Sequence, residues 1–111
     1  MANVVLCGAN SYEKKYYLNP DFSRLPESIK QEIQIMCVEH CEYAGGTITM
    51  EFTDDGTLLF NVRADDSDFM FDEIESGIII SKYQRQREEL LEQLEMFYRV
   101  MFLGMNDIMN N

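Results

Sequence analysis

The residues whose types and spacing could do chemistry are Cys37, His40 and Cys41, in the run Cys37-Val-Glu-His40-Cys41. On a helix, positions 37 and 41 share a face and position 40 borders it. Three zinc ligands could converge there, with Cys7 as a fourth. A structural zinc site usually draws ligand pairs from two separate elements, and the chain has no second CxxC or HxxxH pair to supply them. The competing reading is that Cys37 and Cys41 continue the stripe Ile29, Ile33, Met36 as small buried hydrophobes. His40 is the chain's sole histidine. Acid–base chemistry near neutral pH would therefore rest on it or on a perturbed carboxylate. Neither a Ser/Asp arrangement around His40 nor a Cys7–His40 pair has motif support. The expectation is no metal, no cofactor and no catalytic residue.

Other candidates are weaker. The run Asp65 to Glu75 holds six acids and no base, and clustered carboxylates can take calcium or magnesium. It misses the EF-hand spacing, because no glycine stands at the sixth position counted from Asp65. A solvated acidic loop is the simpler reading. Gly8 and Gly45-Gly46 fit neither a GxGxxG nor a GxxxxGK pattern, so nucleotide binding has no motif. Tyr12-Glu-Lys-Lys-Tyr-Tyr is a basic, aromatic patch that could touch nucleic acid or peptide, or simply cover a sheet.

Composition narrows the classes. Nine basic residues against 20 acidic ones leave a net charge of −11 across 111 residues. Such a field opposes phosphate backbones and anionic membranes, so neither nucleic acid nor membrane is expected as a partner. Hydrophobic residues make up 46% and aromatic ones 12%, as in a globular domain rather than a disordered chain. At this length folding buries roughly 65% of the unfolded surface without disulfides or metal. Val4-Val5-Leu6-Cys7 superficially suggests a lipoprotein cleavage site. It lacks a preceding basic residue, a long enough apolar run and a small residue at position 6. No apolar run nears the 18 or more residues of a membrane span. Three cysteines without a secretory framework fit free thiols in a reducing cytosol, and the expected location is cytoplasmic.

The elements that would position these residues follow from periodicity. Val4 to Cys7 suggests a short strand ended by Gly8, and Tyr12, Tyr16 and Tyr17 would share a helix face. Asn19-Pro20-Asp21 is a turn signal. Leu25-Pro26-Glu27 opens a helix, with Pro26 at the first helical position, and Gly45-Gly46 closes it. Thr47–Thr53 and Thr57–Ala64 form a hairpin whose register can be derived. A two-residue Asp55-Gly56 turn mixes apolar and polar faces. A three-residue loop pairs Phe52 with Leu58, Met50 with Phe60 and Ile48 with Val62, leaving one face wholly apolar. That predicts Gly56 in the left-handed conformation.

Two alternatives stay open for residues 65–80. Asp68 caps a short helix through Ile74 that stops near Gly77, or Phe69 to Phe71 is a third strand. Ile78 to Ile80 either starts the last helix or is an edge strand. From Tyr83 to Met105, the positions Tyr83, Arg87, Leu90, Leu94, Phe97 and Met101 recur at alternating steps of 4 and 3, predicting one long amphipathic helix. Leu91, Tyr98, Phe102 and Met105 widen its seam beyond what a small sheet covers.

The tyrosine-rich start, Leu25-Pro26, Phe71-Asp72-Glu73-Ile74-Glu75-Ser76-Gly77 and Phe97-Tyr98-Arg99-Val100-Met101-Phe102-Leu103-Gly104 together resemble an uncharacterised family of small acidic proteins of clostridia and related Firmicutes, a domain of unknown function. The resemblance covers nearly the whole chain. It implies a bacterial cytoplasmic origin and carries no site, activity or ligand.

The sequence thus predicts a single α+β domain over residues 1–111: a helix, an antiparallel hairpin with or without a third strand, and a long C-terminal helix on one sheet face. The expected function is a non-enzymatic protein-interaction or regulatory module acting as a homodimer, with Phe97, Met101 and Phe102 at the interface. The rival reading is a small ligand- or metal-binding protein or enzyme using Cys7, Cys37, His40 and Cys41.

Overall fold

A computed structural model describes residues 2–104. Its elements are β1 (Val4–Asn10), β2 (Lys15–Leu18), α1 (Glu27–Ala44), β3 (Thr47–Phe52), β4 (Leu58–Arg63), α2 (Glu73–Gln86) and α3 (Glu88–Met101), with a 3-10 turn at Pro20–Phe22. The four strands form one antiparallel sheet in the order β2-β1-β3-β4, and the fold is α+β. The helices cover one face. Among the described residues no helix is long and apolar enough to cross a membrane.

The derived hairpin register holds: Phe52 pairs with Leu58, Met50 with Phe60 and Ile48 with Val62. Thr53 N donates to Thr57 O at 2.9 Å and Gly56 has φ +87°, so the loop is the three residues Asp54-Asp55-Gly56. The Arg99 side chain of α3 lies over this turn, and Arg99 Nε donates to Asp55 O at 3.1 Å. A Cβ on Gly56 would come within 2.7 Å of Arg99 Cγ. Glycine is therefore required both for the backbone angle and for the docking of the turn on α3.

The N-terminal quarter differs from its sequence reading. Gly8 does not end the first strand. It pairs with Tyr17 on one side and Thr49 on the other, and β1 continues to Asn10. The tyrosines do not share a helix face either. Residues 15–18 are strand β2, where Lys15 and Tyr17 are exposed while Tyr16 and Leu18 are half-buried, the two-residue alternation of a sheet. Four residues are too few for period 2 to stand out in sequence. Leu6 sits at a bulge between Val5 and Cys7. Asn19 clamps that bulge: its Nδ2 donates to Val5 O at 2.7 Å and its N to Leu6 O at 2.9 Å. Helix α1 begins one residue later than predicted, with Pro26 as its cap. It ends as predicted at Gly45, φ +82°.

Residues 65–80 adopt neither alternative as drawn. Residues 69–71 are not a strand. Asp72, not Asp68, caps the helix by accepting from Glu75 N at 2.9 Å, and the helix runs through Gly77 and Ile78–Ile80 to Gln86. The long helix predicted from Tyr83 is two helices, broken at Arg87 (φ −116°, ψ 23°). A straight helix from Tyr83 to Met105 would be about 33 Å long, against about 20 Å for a six-residue strand. Tyr83 and Leu90, on either side of the break, are both buried, while the exposed Arg87 side chain lies 3.5 Å from Glu32. Met105, part of the expected seam, lies outside the described residues.

The core runs from Leu6 and Cys7 through Ile33, Met36 and Cys37 to Ile48, Met50, Phe52, Ile79, Tyr83 and Leu94. Phe22, in the 3-10 turn, is wholly buried and stacks on Phe52 (5.6 Å between ring centres) and Phe102 (4.8 Å); Tyr98 lies 4.2 Å from Phe52 and nearly parallel to it. This aromatic stack absorbs part of the α3 seam that a hairpin alone would leave bare.

Candidate functional site

The four residues that sequence singled out for chemistry do not form one centre. Cys7 and Cys37 meet inside the core, with Sγ atoms 3.8 Å apart. The hydrogen bond with Cys7, and then burial, push the Cys37 thiol up from its ordinary pKa, which disfavours the reactive thiolate. His40 points elsewhere, toward α2, where Nε2 lies 2.7 Å from Ser76 Oγ. Cys41 is half-buried; its Sγ is 3.7 Å from Gly46 O, and burial raises its pKa. Among the described residues no three of His, Cys, Asp and Glu converge to hold a metal ion.

The His40–Ser76 contact was invisible in sequence because its partners are 36 residues apart on different helices. It has the form of a base and a hydroxyl nucleophile, yet both residues are buried. Burial lowers the His40 pKa. Its Nδ1 has no hydrogen-bond partner among the described residues, so no acid orients the ring as a triad requires. The tautomer with Nε2–H donating to Ser76 leaves only a lone pair unpaired at Nδ1, the cheaper arrangement. The pair ties α1 to α2.

Beside these thiols, between the β1–β2 turn and α1, is a surface cavity of about 540 Å³ lined in part by Lys14, Lys15, Tyr16, Gln34 and Cys41. The Tyr16 hydroxyl is buried without a hydrogen-bond partner among the described residues. Burial, and then Cys7, raise its pKa, so it stays protonated at neutral pH.

The largest departure from ordinary burial is in the acidic stretch. Phe69 is 93% exposed, Met70 89%, Ile74 79% and Ile78 58%. Ile74 and Ile78 are one helical turn apart on the outer face of α2. The loop that presents Phe69 and Met70 is held at several points. Asp65 N donates to the Tyr12 hydroxyl at 3.0 Å, and that hydroxyl donates to Asp68 Oδ2 at 2.6 Å. Asp68 Oδ1 accepts from Met70 N (2.9 Å) and Phe71 N (3.1 Å). The Tyr12 bond holds the Asp68 carboxyl below the usual carboxylate range. Phe71 packs inward over Gly46, and Asp72 N donates to Ala44 O at 3.0 Å. Gly46 has φ +71°, and a Cβ there would meet Arg63 O at 2.6 Å and the Phe71 ring at 3.0 Å. Two of the acids that looked like a cation loop, Asp68 and Asp72, thus serve as turn and helix-cap acceptors, and Asp68 helps to hold two large apolar side chains in water.

A second apolar surface lies at the end of α3. Met101 is 51% exposed and Phe102 39%, with Met96 and Leu103 also exposed, while Phe97 is half-buried against Phe22. Residues 96–104 contain one base, Arg99, and no acid.

A protein-family profile described as "Family of unknown function (DUF6145)" matches residues 3–106. The chain belongs to that family. No curated protein and no solved structure matches it.

Proposed function

We propose that this member of the family is a non-enzymatic protein-interaction module that acts as a homodimer through the end of α3. The observation that carries the reading is where its chemistry sits. The Cys7 and Cys37 thiols and the His40 imidazole are turned into the core, Cys41 is half-buried, and large apolar side chains are turned out. Clusters of exposed large apolar side chains mark interaction surfaces in soluble proteins. The α3 end suits self-association because residues 96–104 bring no acid to the contact. A two-fold axis would set Met101 and Phe102 against their copies, with Phe97 beneath them.

Sedimentation equilibrium at micromolar concentration tests this. The expected result is a species of twice the 13.0 kDa chain mass, shifting toward monomer in Met101→Asp, whose exposed position tolerates the charge. A 13.0 kDa monomer across the concentration range would overturn the dimer.

A further inference from the structure

The face formed by Phe69, Met70, Ile74 and Ile78 differs from the α3 end in its rim. Asp65, Asp66, Asp72 and Glu73 are exposed around it, Asp68 and Glu75 stand beside them, and no basic residue occurs between Arg63 and Lys82. The positive end of α2 offsets only about half a charge of these six. A second copy of this face would set six acids against six, a like-charge juxtaposition that specific interfaces avoid. Apolar anchors inside an acidic rim are complementary to a chain segment that is apolar on one side and basic around it. We infer that this face docks a basic, amphipathic segment of another protein, most simply a helix crossing the first two turns of α2 with its apolar side over Ile74 and Ile78 and against the Phe69-Met70 loop, clear of Lys82 and the exposed Arg85 on the later turns. The inference rests on the interaction-module reading but uses a different surface, so each can fail alone. The pinned loop contributes pre-organisation, since Phe69 and Met70 lose little backbone freedom on binding.

The probe is a labelled synthetic helix of about 18 residues, five turns, with leucine on one face and lysine on the other, and a twin carrying glutamate for lysine. The lysine peptide should bind saturably, and the glutamate twin roughly tenfold or more weaker. Raising salt from about 50 to about 500 mM should weaken binding several-fold. The double variant Phe69→Ser/Ile74→Ser, which leaves every charge in place and alters only exposed positions, should lose roughly tenfold in affinity, the scale of truncated anchors. Met101→Asp should bind as the wild type does, separating this surface from the dimer. Equal binding of the two peptides, undiminished binding by the double variant, or no binding would each overturn the inference. So would a double variant that turns a sedimenting dimer into monomer, since the face would then be a self-contact.

Discussion

The interior around Cys7, Cys37 and His40 and the edge around Phe69, Met70, Ile74 and Ile78 invert the usual division of labour. The first holds the side chains with the richest chemistry and buries them completely. The second holds side chains with no chemistry beyond apolar surface and exposes them. The interior is organised by packing, where a polar group is tolerated once it has a partner. The edge is organised by short acidic turns, whose carboxylates satisfy the backbone and leave Phe69 and Met70 outside.

The contrast is sharpest in stability. Phe52→Ala, in the aromatic stack, should cost about 3–5 kcal/mol, whereas Phe69→Ala should stay within about 0.5 kcal/mol. Denaturant titration of both reads the difference, and comparable losses would show that Phe69 is part of the core. An intermediate effect is expected at Gly46→Ala, which forces a Cβ into a left-handed position against Arg63 O and the Phe71 ring. A loss of about 1–3 kcal/mol is predicted. It should loosen the loop ahead of α2, seen as increased proteolysis near Phe69.

The smallest effect concerns His40. Its pKa is lowered in the folded state, so below the ordinary value near 6.5 the unfolded chain binds the extra proton. Stability is then lost as pH falls through the unfolded value toward the folded one. His40→Gln should flatten the slope between about pH 7 and 5. An unchanged slope would show that His40 titrates freely and that its contact with Ser76 does not hold it neutral.

The parts of this fold that were legible in sequence are those fixed locally. The hairpin register followed from alternation plus the loop glycine, because a slip of one residue would have put Phe52 and Phe60 on opposite faces of the hairpin. The limits of α1 followed from Pro26 and the two glycines. What stayed hidden was tertiary. Arg87 keeps the helical spacing of the seam, so nothing local announces the break there. Phe22 gave no periodic signal from a three-residue turn. Phe69 and Met70 fall where the sequence left a short helix and a strand open, within a solvated acidic loop. Their exposure depends on Tyr12, Gly46 and Ala44 holding the loop from far along the chain. The Cys37-His40-Cys41 spacing was read correctly as one turn of helix, but the direction each side chain takes was set by neighbours on β1 and α2.

Amide hydrogen exchange shows residue by residue whether the Phe69-Met70 loop is held in place or merely loose. The amides of Met70, Phe71 and Asp72, bonded to Asp68 and to Ala44 O, should exchange far more slowly than those of an unstructured chain, and Gly46→Ala should remove the protection. Exchange across residues 65–72 at the rate of an unstructured peptide would contradict a held loop, because Phe69 and Met70 would then belong to a mobile segment and not to a displayed surface.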